Sequence, residues 1–100
     1  MQNNRHFVFI PKVTLVSDEF KALKKHSRLL YVYMVARRAG VDDWFSYSYK
    51  EMRQDSGYRY GTISGCIKEL SQAGLVQYKH GGLELNHNIY YLMPLPLQLV

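Results

Sequence analysis

Residues 48–76 read SYKEMRQDSGYRYGTISGCIKELSQAGLV, and this stretch decides the fold. It predicts two helices, a tight turn between them, and a strand directly after. Ser48 is a good N-cap, because its hydroxyl can accept from an otherwise unpaired backbone N–H. Glu51, three residues on, completes a capping box. Tyr49 and Met52 then share a helical face. Gly57 ends the first helix, since glycine enters the left-handed region without steric cost. The second helix is expected from Tyr60 to Ala73. Ile63, Ile67 and Leu70 recur at three- and four-residue spacing and form one buried stripe, with Cys66 beside it. Thr62, Ser64, Gly65, Lys68, Glu69 and Gln72 lie off that stripe. Gly74 stops the helix, and Leu75-Val76 begin the strand.

The order helix, Gly57, turn, then Thr62-Ile63-x-x-Cys66-Ile67-Lys68-Glu69-Leu70-x-x-Ala73-Gly74-Leu75-Val76 resembles the winged helix-turn-helix family. The resemblance covers roughly two thirds of the chain and implies an α+β fold of three to four helices, a small antiparallel sheet and a β-hairpin wing. Most such domains bind DNA and some dock proteins, so fold alone does not fix function. A looser resemblance, to the N-terminal domains of plasmid replication initiators, rests on Ile10-Pro11-Lys12 followed by His26-Ser27-Arg28-Leu29-Leu30-Tyr31.

Composition agrees with one folded domain spanning residues 1–100. A hydrophobic fraction of 47% argues against disorder. The single cysteine, Cys66, excludes an internal disulfide. Its place on the buried stripe predicts an inert thiol, in keeping with a reducing cytoplasm. No apolar run is long enough to span a membrane, and no signal peptide is seen. The formal charge of +5 and pI near 9.4 favour a polyanionic partner.

Outward from the central stretch, residues 1–6 and 94–100 are expected as extended arms. Phe7-Val8-Phe9-Ile10-Pro11 is apolar, β-prone and stopped by proline. The tail Pro94-Leu95-Pro96-Leu97-Gln98-Leu99-Val100 cannot be helix interior. It is expected to pack on the domain, to cover a second subunit, or to lead into further chain. Ser17-Asp18-Glu19 starts a short helix with acids in its first turn. Ser27 is expected to cap the longest helix, which runs to about Ala39 and ends at Gly40. Arg37 and Arg38 in its last turn have two readings, complement to the helix dipole and phosphate contact. Trp44-Phe45-Ser46-Tyr47 should form a first strand, with Trp44 or Phe45 in the core. The Gly81-Gly82 pair between alternating runs predicts a hairpin. A second kink is possible at Asn86-His87-Asn88.

The resemblance implies that the second helix enters the major groove of double-stranded DNA, where base edges carry a donor and acceptor code. Arg59, Tyr60, Thr62, Ser64 and Lys68 then become candidate contacts. Arg59 suits guanine or phosphate, Tyr60 and Thr62 phosphate or a thymine methyl, and Lys68 the backbone. Lys50 and Arg53 on the preceding helix would position the backbone, and Lys79 and His80 at the hairpin would reach the minor groove or phosphates. Gly61 and Gly65 carry no side chain where the family often has Arg, Gln or Lys, and they open room for close approach. Each cation taken singly also reads as a solvated surface group. Nine tyrosines are many for this length. Tyr31, Tyr33, Tyr47, Tyr90 and Tyr91 are expected to pack with their hydroxyls at the surface, and Tyr49, Tyr58, Tyr60 and Tyr78 to lie near the binding side.

No catalytic or metal-binding constellation emerges. His6, His26, His80 and His87 are scattered, and neither HxxxH nor CxxC spacing occurs. Asp42-Asp43 reads as a turn, and Gly57–Gly65 lacks the P-loop lysine spacing. The expectation is therefore a non-enzymatic DNA-binding domain needing no cofactor. It would be a homodimer, with no membrane association, in transcription regulation or in replication initiation of a mobile element. The alternative is a protein-docking winged helix using Tyr58, Tyr60 and the flat glycine face.

Overall fold

Ser48 joins a strand to a helix and shows how local chemistry builds the fold. Its hydroxyl accepts from the Glu51 amide at 3.1 Å, and Glu51 Oε1 accepts from the Ser48 amide at 3.0 Å. This capping box starts α4 (Tyr49–Ser56), which Gly57 ends at φ 77°. The turn Gly57–Arg59 leads into α5 (Tyr60–Gln72), closed by Ala73 and by Gly74 at φ 79°. In the computed structural model the chain is described over residues 10–38, 43–81 and 84–93, with side chains at 80–88 outside that description.

Before this unit lie α1 (Lys12–Leu15), α2 (Asp18–Lys21) and α3 (Lys25–Arg38). Ser17 caps α2 as expected, accepting from the Phe20 amide at 3.1 Å. The described residues thus hold five helices, where three or four were expected. The single turn α1 had no periodic signature, being too short for one. Pro11 starts it, with its fixed φ already compatible with the helical turn that follows.

The capping of α3 differs from expectation. The helix starts at Lys25, so Ser27 lies inside its first turn, buried rather than capping. Glu69 of α5 supplies the acceptors instead. Its Oε2 accepts from the Lys24 amide at 3.2 Å, and its Oε1 accepts from the Ser27 hydroxyl. An acceptor brought from elsewhere in the chain satisfies the helix start as well as a local one.

Three antiparallel strands, β1 (Phe45–Ser48), β2 (Val76–Gly81) and β3 (Glu84–Leu92), pair in the order β1-β3-β2. The expected hairpin joins β2 to β3, with a register irregularity between His80 and Gly81. No kink interrupts β3 at Asn86–Asn88, where His87 and Asn88 pair with β1. The register aligns Phe45, Tyr90 and Tyr78 as a row on the inner face, with ring centroids 6.0 and 6.4 Å apart. The expected arms at 1–6 and 94–100, the 7–9 segment and the Gly40 helix stop lie outside the described residues.

The core gathers Leu30, Met34 and Val35 of α3, Met52 of α4, and Ile63, Cys66, Ile67 and Leu70 of α5 against Tyr47, Leu75, Val76, Tyr90 and Leu92. The α5 stripe is the one its spacing predicted. Such aliphatic side chains each contribute about 1.5–3 kcal/mol on burial. In β1 the fully buried residue is Tyr47, rather than Trp44. Phe45 packs partly against the core, and Trp44 lies beside Tyr91 at 5.7 Å. The Tyr47 hydroxyl donates to Asp55 Oδ2, which satisfies the phenol that burial would otherwise strand.

Candidate nucleic-acid interface

Helical geometry divides the outer surface of α5 into ranks, because residues four apart stand one above another. Tyr60, Ser64 and Lys68 form one exposed rank, and Gly61 and Gly65 the next. A Cβ at Gly61 or Gly65 would meet nothing within 4 Å. Neither glycine is needed for internal packing. Each nevertheless costs the helix roughly 0.8–1 kcal/mol against alanine.

Thr62 lies on the opposite flank from Tyr60. It is half-buried and helps line an open cleft of about 460 Å³ with Lys24, His26, Gly65, Lys68 and Glu69. Lys24 and His26 flank the start of α3, far from α5 in sequence, and no local sequence signal ties them to it. The His26 ring meets Tyr58 edge to face at 4.7 Å, which fixes the turn between α4 and α5 against α3. Cys66 is buried at the cleft floor, and burial pushes its thiol pKa up, so it stays protonated as expected for a core thiol.

Charge is sorted across this face. Lys50 and Arg53 are exposed on α4, Arg59 is exposed at the N-cap of α5 without a side-chain capping bond, and Lys68 is exposed further along. Among the described residues none of these four forms an ion pair. The acids of the same two helices are engaged internally. Glu51 holds Ser48 and Arg37, Asp55 accepts from Tyr47, and Glu69 holds Lys24 and Ser27. Four cations without ion pairs among the described residues thus stand on the outer surface of α4 and α5, while each acid there holds a neighbouring partner and Asp55 stays exposed.

Arg37, one of the two phosphate candidates on α3, is partly exposed but already engaged by its neighbours. Its Nη1 pairs with Glu51 Oε2 at 2.8 Å, its Nε donates to the Ser46 carbonyl at 3.2 Å, and its guanidinium covers the Tyr47 ring at 5.1 Å.

The hairpin divides its residues by parity. Tyr78 shares the inner row with Tyr90, whereas Lys79 falls on the other sheet face, its Nζ 4.4 Å from the Trp44 ring centroid. Lys79 is thus not brought together with the α5 cations. The backbone of His80 follows in β2, and its side chain lies outside the described residues.

The structure also assembles an aromatic corner. Tyr49 opens α4 and Tyr60 opens α5, and their rings meet edge to face at 4.7 Å and 80°. Burial raises the Tyr49 pKa. Ser64 opposes that rise, while the phenols of Tyr60 and Tyr78 add to it, which puts all four groups in one neighbourhood. Tyr60 is 55% and Tyr78 40% exposed.

No protein-family model and no curated protein matches the chain. Solved structures do. The chain is similar to one in the structure of a Rep–DNA complex, at 26% identity over 93% of this chain and 78% of that one, with a TM-score of 0.69. It is also similar to the N-terminal domain of a DNA-binding protein, at 26% identity over 92% and 77% of the two chains, with a TM-score of 0.68.

Proposed function

We propose that this chain is a winged helix-turn-helix domain that binds double-stranded DNA, with α5 in the major groove and the β2–β3 hairpin as the wing. One observation carries the reading. Lys50, Arg53, Arg59 and Lys68 face outward without ion pairs among the described residues, while Glu51, Asp55 and Glu69 are occupied by internal donors. A protein-docking face has no need of such an array of outward cations without ion pairs. A polyanion rewards it, because each neutralised phosphate releases counterions.

The likeness to the Rep chain of a DNA complex supports the same partner. The role that fits is replication initiation of a mobile element or transcription regulation. Arg59 is the base-reading candidate, and Lys50, Arg53 and Lys68 the phosphate contacts. Thr62 serves the strand bordering the cleft. The role is binding without catalysis. A homodimer fits it, since one such helix pair covers few base pairs.

The test is fluorescence anisotropy on a random duplex over a salt series, with an Arg59→Ala, Lys68→Ala double variant beside the parent. Expected are micromolar-scale binding that falls steeply with salt and a flatter slope in the variant. Absence of binding at low salt overturns the reading and turns attention to Tyr58 and Tyr60 as a protein-docking surface.

A further inference from the structure

We propose that Tyr49, Tyr60 and Tyr78, with Ser64, form an uncharged clamp for one phosphodiester of the bound strand, at the corner where α4, α5 and the hairpin meet. The proposal rests on the DNA-binding reading and adds to it a site of different chemistry. The three phenols come from three elements: the first residue of α4, the first residue of α5, and β2. Two of them are large, ring-bearing side chains left 55% and 40% exposed, although the inner row of the sheet offers packing to such rings.

Their rings are held. Tyr60 is fixed edge-on against Tyr49, which itself packs against the core, and Tyr78 stacks toward the buried Tyr90. Held rings present their hydroxyls with little further loss of conformational entropy. Ser64 stands one turn along α5 from Tyr60 and hydrogen-bonds to the Tyr49 phenol, so its hydroxyl joins the same cluster.

Four hydroxyl side chains suit an acceptor with several lone pairs. A phosphodiester oxygen is the acceptor that DNA presents on its outside, and hydroxyl side chains are ordinary partners for it. Position points the same way. A strand flanking α5 in the major groove must pass this corner to reach the hairpin. Any phenol is protonated at neutral pH, and burial pushes the Tyr49 pKa further up, so it remains able to donate. Lys79 is held on the far face of the sheet against Trp44, so the corner has no nearby cation from β2 among the described residues.

The experiment compares the parent with Tyr49→Phe, Tyr60→Phe and Tyr78→Phe, singly and together, on one duplex over a salt series. Phenylalanine keeps the rings, so the thermal midpoint reports any packing loss separately. The expected result is about tenfold weaker binding per contacting hydroxyl, the same for unrelated duplex sequences. The slope of log affinity against log salt stays that of the parent, because no charge is removed. A single methylphosphonate moved along the strand should give one position that weakens the parent and leaves the triple variant unchanged. If the parent binds with its salt dependence and the triple variant binds equally well, the clamp is overturned and the DNA reading stands. If the parent binds no duplex, both fall together.

Discussion

Arg37 Nη1 lies 2.8 Å from Glu51 Oε2, while the other oxygen of Glu51 accepts from the Ser48 amide. One carboxylate therefore closes the capping box of α4 and ties that helix to the end of α3. The pair is about one third exposed on both sides, so its Coulomb contribution is small, and the capping bonds carry more. Glu51→Ala should lower stability by about 1–2 kcal/mol. For a domain of this size that corresponds to roughly 4–8 °C in Tm per kcal/mol. Thermal unfolding followed by circular dichroism checks it, and an unchanged midpoint would mean that Ser48 alone caps the helix.

The same carboxylate sets an acid dependence. Hydrogen bonding to the Ser48 backbone is the largest influence holding the Glu51 pKa below the usual carboxylate range; partial burial opposes it, and Arg37 assists. A depressed folded pKa contributes stability that is present above the unfolded value, about 4.3, and is lost as pH falls through the folded one. Urea unfolding of the parent and of Glu51→Gln should therefore differ at neutral pH and converge as the pH falls below the folded pKa. A constant gap down to acid would place the effect in packing instead.

Tyr47 gives the alkaline counterpart. Burial chiefly, and then its bond to Asp55, raise the phenol well above its ordinary value. A raised folded pKa contributes stability that is complete below the unfolded value, near 10, and is lost as pH rises beyond it. The parent should thus lose stability above about pH 10 more steeply than Tyr47→Phe. The variant forfeits one hydrogen bond, about 0.5–1.5 kcal/mol at neutral pH. Denaturant titrations of both proteins at neutral pH and near pH 10.5 make the comparison.

Gly61 and Gly65 separate stability from binding. Alanine at either position meets open space and relieves the helix of its most flexible residue. The double Gly61→Ala, Gly65→Ala variant should be more stable by about 1–2 kcal/mol. Its affinity for duplex DNA should fall, because two methyl groups stand where a strand comes close. A variant that gains stability and keeps full affinity would show that DNA does not approach this rank.

What was legible in the chain was local. Ser48 with Glu51, Gly57, Gly74 and the Ile63-Ile67-Leu70 spacing each act within a few residues, and each took the predicted place. What was not legible depends on pairs far apart in sequence. Tyr47 is buried because strand register sets it on the inner face opposite Asn88, and Trp44 faces outward by the same parity. Lys79 looked like a hairpin-tip contact, but it follows Tyr78 by one residue and so belongs to the other face. Arg37 looked free until α4 placed Glu51 beside it. The candidate cations on α4 and α5 could be named from the sequence, whereas the hydrogen-bond partners of their acidic neighbours could not.

Glu69 joins the two kinds of feature. By spacing it belongs to the polar side of α5 next to Lys68, yet it caps α3 through the Lys24 amide and the Ser27 hydroxyl. Ser27 is buried, so removing Glu69 leaves its hydroxyl only the weak Cys66 thiol as a partner. Glu69→Ala should therefore destabilise the domain by about 1–3 kcal/mol. It also removes a negative charge from the cleft shared with Lys24 and Lys68. On folded protein, well below the melting transition, the same variant should bind duplex DNA more tightly, by a few-fold at low salt, with the gain shrinking as salt screens the charge. Stability and affinity moving in opposite directions would mark Glu69 as a structural acid within the binding face. If both fall together, α3 must be held in place by Glu69 for DNA to bind at all.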